Sequence, residues 1–328
     1  MDNLIDKIKA AGLRGRGGGG FSVYQKWKSV IDTPSDKKYV ICNGAEGEPE
    51  GFKDGYILDN HLEDVMNGIS LAMKEIGAEK AYLYLRKDYY EKYQKAIGSY
   101  PIEAPLGLIR KPDIGYIGGE ETIICQVIEE QNLFPRKKPP YLSEKGLFGQ
   151  PTLINNVETF YYVSKISKDE YAGERFYSIS GDIDNPGVYE LKEDDTIIEV
   201  LKHTGNYPDF DFFAQVGGIS GEIFLPSEMD KPLDGAGFIN VYNSINVDHY
   251  SFLERLSQFF HEGNCDKCTP CSGGFYLINE MCKKKQIDFN KLEDILLSLK
   301  VSSFCALGKN AYLPFETFIN KITKDGKH

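Results

Sequence analysis

The chain has 328 residues, of which 41% are hydrophobic and 27% charged; this is ordinary globular composition, with length for two or three cored domains. Its formal net charge of −11 argues against nucleic acid as a partner, because neutralising phosphates takes clustered Lys and Arg. No stretch approaches the roughly eighteen uninterrupted apolar residues of a membrane span, and residues 1–11 lack the apolar core of a signal peptide.

Residues 1–11 place apolar and charged side chains at helical spacing. A glycine-dense loop follows at residues 12–20, where Gly12, Gly15, Gly17, Gly18, Gly19 and Gly20 surround Leu13, Arg14 and Arg16. Bare backbone of this kind lets N–H groups approach a phosphate or a ring system closely. Glycine runs also occur in flexible linkers, and no strand leads into this one, so it is not a dinucleotide fingerprint. Residues 38–42 predict a strand, 43–55 a polar loop and 59–76 a helix. A strand at 80–85 follows, in which Ala81, Leu83 and Leu85 alternate with Tyr82 and Tyr84.

Residues 89–97 predict a helix. Residues 114–117 predict a short strand feeding Gly118, Gly119, Glu120 and Glu121, from which a helix runs to about Glu130. The proline-rich stretch 134–141 excludes helix and central strand and is expected to be an ordered loop. Asn156, just ahead of an apolar run, fits an N-cap, and free N–H groups at a helix start bind anions without a cationic side chain. A capped helix and nothing more would explain that segment equally well. Alternating strands and helices over this half favour an α/β layer. Two acidic clusters, Glu46 with Glu48 and Glu120 with Glu121, sit beside glycines at strand ends, where open α/β sheets place their ligand crevice. Most surface carboxylate pairs are merely solvated; here they are candidates to accept hydrogen bonds from ribose hydroxyls or an amide.

The pattern changes near residue 176. Residues 176–181 and 185–191 predict a hairpin, 196–204 a short amphipathic helix and 214–218 a strand and turn, together a small α+β module. From His249 onward the pattern is helical, and it carries Cys265, Cys268, Cys271 and the remote Cys305. C-x-x-C-x-x-C spacing converges three thiolates on one small inorganic centre, and a distant fourth closes it, which points to one isolated [4Fe–4S] cluster. Structural zinc also accepts four thiolates, although it usually takes two separated C-x-x-C knuckles. Cys42, Cys125 and Cys282 read as small buried apolar residues. Seven cysteines without a paired framework suit a reducing compartment, and the expected home is cytoplasmic.

Taken in order, these pieces resemble the flavin-bearing NADH-oxidising subunit of respiratory complex I and the related diaphorase subunits of NAD-linked hydrogenases and formate dehydrogenases. The resemblance runs from Gly12 to about Ala311. It rests on residues 12–18, Lys26 and Trp27, residues 43–49, Phe52, Lys53 and Asp54, residues 116–122, Lys138, Pro139 and Pro140, residues 149–159, and the cysteine region. It implies a multidomain α/β protein in three parts. A Rossmann-like domain binding FMN and nucleotide spans residues 1–168, a ubiquitin-like (β-grasp) module 169–246, and a helical bundle with the [4Fe–4S] cluster 247–328. It further implies that Gly15, Gly17, Gly18, Lys26, Asn43, Tyr116, Gly119, Glu120, Asn155 and Asn156 contact FMN. Glu48, Glu121, Lys138 and the ring of Tyr141 would meet NAD(H), and the four cysteines would hold the cluster.

The implied activity is NADH oxidation or NAD⁺ reduction within a larger complex, with flavin joining two-electron to one-electron chemistry and no catalytic general base. The usual neighbours in the family are a thioredoxin-like [2Fe–2S] subunit and a larger iron–sulfur or catalytic subunit. Several positions depart from the pattern: Ala45 stands where Asp is usual, Lys28 and Ser29 where an aromatic ring is expected, Tyr141 for Phe, Gly118 for Cys, and Phe134 for Asn. The chain also lacks the family's N-terminal extension, the [2Fe–2S] front domain and the ferredoxin tail. An electron-transfer subunit that keeps flavin and cluster but exchanges electrons with a protein instead of NAD(H) is the alternative reading.

Overall fold

A computed structural model describes residues 3–101 and 105–323. The expectations for the first two and last five residues therefore lie outside the described residues.

Helix α1 (Leu4–Ala11) stops at Gly12, whose φ of 63° is the left-handed conformation of a C-cap. The glycine loop follows and leads into α2 (Val23–Asp32), capped by Ser22. Strand β1 (Tyr39–Gly44), helix α3 (Lys53–Ile76), β2 (Lys80–Leu85), α4 (Lys87–Gly98) and β3 (Leu106–Arg110) come next. After them are α5 (Glu121–Ile128), the single turn α6 (Leu142–Lys145), β4 (Thr152–Asn156) and α7 (Val157–Ser167). The four strands pair in parallel in the order β3-β2-β1-β4. Both faces are covered, as parallel sheets require. Val40, Cys42, Leu83 and Leu153 pack with α3 and α7, while Ile41, Tyr82, Tyr84 and Ile154 pack with α5 and α6. α3 and α7 cross so closely that a Cβ on Gly68 would stand 2.0 Å from the Phe160 carbonyl oxygen, so only glycine fits there.

Two sequence expectations are corrected. Residues 114–117 form no strand: Gly115 has φ 75°, and Tyr116–Gly119 is a 3₁₀ turn. The third strand is Leu106–Arg110, a half-buried sheet edge whose apolar signal is weak. Helix α3 begins at Lys53 rather than near Asp59. A kink at His61 (φ −138°) separates its first turns, which bury Lys53 and Asp54, from the amphipathic part legible in the sequence.

The expected hairpin is present as β5 (Glu174–Gly181) and β6 (Gly187–Lys192). Helix α8 (Ile197–His203) is capped by Thr196, and β7 (Phe212–Val216), β8 (Glu222–Phe224) and β9 (Phe238–Asn243) complete a five-stranded sheet of order β6-β5-β9-β7-β8. The last helices are α9 (His249–Gly263), α10 (Thr269–Lys283), α11 (Phe289–Ser302), α12 (Ala306–Asn310) and α13 (Tyr312–Phe318). Leu253, Leu256, Phe260, Phe275, Leu296 and Phe315 form their shared core, with Phe260 and Phe275 stacked at 5.1 Å. Full burial of each such side chain contributes about 1.5–3 kcal/mol. None of the described helices is long and apolar enough to cross a membrane.

Candidate flavin crevice and cysteine cavity

In the order β3-β2-β1-β4 the chain leaves β1 toward β2 and later returns to β4 on its other side, so the switch point lies between β1 and β4. Ligands of open α/β sheets bind outside the carboxyl ends of strands at such a point. Here those ends pair Asn43 with Asn156. The glycine loop lies across them: a Cβ on Gly17 would come 3.3 Å from Asn156 Cβ. The loop is pinned by Gly15 N–H to Phe21 O at 2.8 Å and Arg16 N–H to Thr159 Oγ1 at 3.1 Å. Among the described residues the N–H groups of Gly17 and Gly18 meet no acceptor, and both glycines are exposed. A row of free donors beside a helix start suits an anion such as a phosphate.

Asn156 caps α7 by accepting from Glu158 N–H, and its Nδ2 donates to Asp54 Oδ2 at 2.7 Å and to Asn43 O at 3.2 Å. Asn43 Nδ2 donates to Gly119 O at 3.1 Å, and Asn43 Oδ1 accepts from Ala45 N–H. Asn155 points away from the crevice. With its amide oriented to satisfy its neighbours, it accepts from Trp27 Nε1 at 2.8 Å. Beneath the crevice the Lys53 ammonium lies between Asp54 (2.5 Å) and Glu158 (3.0 Å), all nearly solvent-free. Burial alone would lower the lysine pKa, but these carboxylates more than offset that and raise it. The sequence assigns no role to Lys53, Asp54 or Thr159: the first two lie in a stretch that reads as a polar loop, and Thr159 in an apolar run, where a single hydroxyl leaves no periodic signal.

The acidic clusters have different fates. Glu120 caps α5 through the N–H groups of Thr122 and Ile123, and its second oxygen accepts from Lys138 Nζ at 3.2 Å. Glu121 meets Lys26 at 2.5 Å and Lys138 at 3.6 Å. Burial works to raise the Glu121 pKa, yet the two ammonium groups prevail and lower it, so it is ionised at neutral pH. Lys26, Glu120, Glu121 and Lys138 therefore form one chain of charges at the mouth of the crevice. Glu48 is only 9% exposed; its oxygens accept from Tyr116 OH at 2.8 Å and from Ile219 N–H at 2.7 Å. Tyr141 is 57% exposed, with its backbone capping α6. Ser29 Oγ donates to Ser143 Oγ at 2.8 Å, tying α2 to α6.

Cys265, Cys268, Cys271 and Cys305 all line one cavity of about 220 Å³, with Ile117, Phe134 and Phe304 among its other walls. That volume is several times the ~30 Å³ share of one water, so it suits a group of several atoms. Among the described residues no three His, Cys, Asp or Glu side chains converge tightly enough to enclose a single ion. Cys268 and Cys305 are the N-caps of α10 and α12, and helix starts favour thiolate. Burial raises the Cys305 thiol, against the Gly308 and Leu307 N–H groups, which work to lower it. Burial, then the neighbouring Cys268, Cys305 and Cys265, push the Cys271 thiol up, the pattern of a site whose thiolates want cationic compensation.

Crevice and cavity share a wall. The Tyr116–Gly119 turn accepts from Asn43 on one side and presents Ile117 to the cysteines on the other. Glu120 is near enough to Cys305 to influence its thiol.

Residues 8–165 match the family described as the Nuo51 FMN-binding domain, and residues 251–327 match the NADH-ubiquinone oxidoreductase-F iron–sulfur binding region. One F subunit of NADH-quinone oxidoreductase of Rhizobium meliloti is 30% identical, over 94% of this chain and 84% of the relative. The chain belongs to the family of NADH-quinone oxidoreductase F subunits. The NAD-reducing hydrogenase HoxS subunit alpha of Cupriavidus necator is 31% identical over 98% of this chain, which spans only 59% of that protein. A crystal structure of an NAD⁺-reducing [NiFe]-hydrogenase in the H₂-reduced state superposes with a TM-score of 0.88 at 29% identity, covering 97% of this chain and 61% of that one.

The two matched regions of this family member contain, respectively, the glycine loop with the β1 and β4 ends, and the cysteine triplet with Cys305. Both fit their groups on structural grounds: free N–H donors for a flavin phosphate, and four sulfurs around one cavity for a cluster.

Proposed function

We propose that this protein is the NADH-oxidising, or NAD⁺-reducing, flavoprotein subunit of a larger redox complex, carrying FMN and one [4Fe–4S] cluster. The observation that carries the reading is the shared wall: one turn, Tyr116–Gly119, borders both the glycine-loop crevice and the four-cysteine cavity. FMN, when bound, accepts a hydride from a nicotinamide and releases its electrons singly.

The chain's own residues divide the work. Gly17 and Gly18 would offer free backbone N–H groups to the flavin phosphate, with Gly15 closing the loop through Phe21, while Asn43, Tyr116, Gly119, Glu120 and Asn156 would border the ring. Asn155 holds Trp27 beneath the loop. Glu121 and Lys138 would form the charged mouth for a nicotinamide nucleotide, with the exposed Tyr141 ring as a stacking face, and Lys26, read as an FMN contact, pairs with Glu121 beside it. Glu48, held by Tyr116 OH and Ile219 N–H, is kept as a nucleotide contact. Cys265, Cys268, Cys271 and Cys305 supply all-thiolate ligation.

We read residues 1–168, 169–246 and 247–328 as the three working units. The middle one is read as ubiquitin-like, since its sheet runs second-first-fifth-third-fourth with one helix after the hairpin. Leu297, Val301 and Phe304 are each at least half exposed, and Phe304 lines the cysteine cavity, which supports a protein acceptor there. A thioredoxin-like [2Fe–2S] subunit and a larger iron–sulfur or catalytic subunit are the partners proposed, in the cytoplasm.

A second reading keeps flavin and cluster but exchanges electrons with a protein in place of NAD(H). The buried Ala45 methyl and the Ser29–Ser143 bond, at positions where the family carries an acid and a ring, favour it. Anaerobic mixing of flavin-loaded protein with NADH decides: bleaching of the flavin band supports nicotinamide chemistry, and full flavin occupancy without bleaching supports the second reading.

A further inference from the structure

Ser303 follows the last turn of α11 and stands two residues before Cys305. It is 3% exposed, and its hydroxyl oxygen has no hydrogen-bond partner. Its backbone N–H is satisfied by Leu299 O at 3.2 Å, so the orphan is the side chain alone. A buried unmade hydroxyl bond costs about 1–3 kcal/mol, which calls for a missing acceptor. Gly308 shows where that acceptor is missing: a Cβ there would stand 2.6 Å from Ser303 Oγ and 3.4 Å from Cys271 Sγ, yet neither that sulfur nor any other described atom bonds the hydroxyl. The absent side chain leaves the hydroxyl and the sulfur facing the same small space.

We propose that Ser303 is a positioning residue for the iron–sulfur centre, its hydroxyl donating a hydrogen bond to a cluster sulfide beside Cys271 and raising the centre's reduction potential. The inference rests on the cluster reading above. Hydrogen bonds to cluster sulfurs are a principal lever on potential. A donor stabilises the reduced state more, because that state carries more negative charge on sulfur. The N–H groups of Leu307 and Gly308 act at Cys305, at a different corner.

Ser303→Ala tests it in the full chain, by redox titration of the reduced-cluster EPR signal. Expected is a shift to more negative potential of up to about tenfold in the one-electron equilibrium, about 59 mV, with iron and acid-labile sulfide contents unchanged. Ser303→Thr, which keeps the hydroxyl, is expected to stay near the wild-type value. An S303A potential equal to wild type, or an equal shift in both variants, overturns the proposal. Should S303A fail to assemble the centre, wild-type ENDOR spectra in H₂O and D₂O decide. An exchangeable proton coupled at the Cys271 corner supports the hydroxyl, and none there overturns it. Wild-type protein containing zinc and no acid-labile sulfide would instead sink the cluster reading itself.

Discussion

The Glu48 carboxylate and the Ile219 backbone N–H, far apart in sequence, meet at 2.7 Å and tie the parallel sheet's loop to the five-stranded sheet. Gly218 permits it: with φ 86°, a Cβ there would fall 2.5 Å from the Glu48 carboxyl carbon. Glu48→Ala leaves this N–H and the Tyr116 hydroxyl without their acceptor. The expected loss is about 1–3 kcal/mol per orphaned group. A chemical denaturation midpoint equal to wild type would show that the tie contributes nothing.

Cys268→Ser removes one of the four sulfurs and places a poor iron ligand at the start of α10. The crevice at Gly17, Asn43 and Asn156 is built from other segments, so FMN should remain at wild-type stoichiometry while iron and sulfide are lost. The check is flavin absorbance alongside iron and sulfide assays. Equal loss of flavin and iron would mean that the two sites do not stand independently.

Glu46 gives a pH-dependent test. Burial, followed by the nearby Asp54 charge, raises its carboxyl to about 7, despite hydrogen bonds from Tyr89 OH and Asp54 N–H. Unfolded, a Glu titrates near ~4.3. Between these values the folded state holds a proton that the unfolded state has released. The contribution to stability is therefore full below the unfolded pKa and is lost as pH rises through about 7. It amounts to at most about 4 kcal/mol. Glu46→Gln, uncharged throughout, should flatten the fall in Tm between about pH 4.5 and 7; parallel wild-type and variant curves would count against the assignment.

The main outline was legible because its signals are local. Alternation marks Lys80–Leu85, the Pro186-Gly187 turn marks the hairpin, Asn156 marks the start of α7, and cysteine spacing marks the cavity. What escaped depends on contacts distant in sequence. The edge strand Leu106–Arg110 is half exposed and shows no alternation, whereas the apolar Ile114 and Ile117 mimic a strand that Gly115 forbids. The charges on Lys53 and Asp54 look like part of a solvated polar loop, yet Glu158 and Asn156 draw them into the floor of the crevice. Likewise the two adjacent asparagines look equivalent in sequence. Strand alternation sends Asn155 to Trp27 and leaves Asn156 facing the glycines.

Under the proposed function, Glu121 is the residue expected to separate nucleotide from flavin. Lys26 at 2.5 Å and Lys138 at 3.6 Å keep its carboxylate ionised at the crevice mouth, and its side chain is 36% exposed, open to an incoming ligand. An ionised carboxylate there accepts hydrogen bonds from ribose hydroxyls, each contributing about 1.5–3 kcal/mol when charge-assisted. Glu121→Ala removes that acceptor and releases both lysines, while Glu120 still caps α5 through Thr122 and Ile123. The KM for NADH should rise about tenfold or more, with FMN content near wild type. Steady-state kinetics with an artificial acceptor, alongside flavin released on denaturation, measures both quantities. A variant that sheds flavin but keeps its KM would move Glu121 from the nucleotide to the flavin side of the crevice.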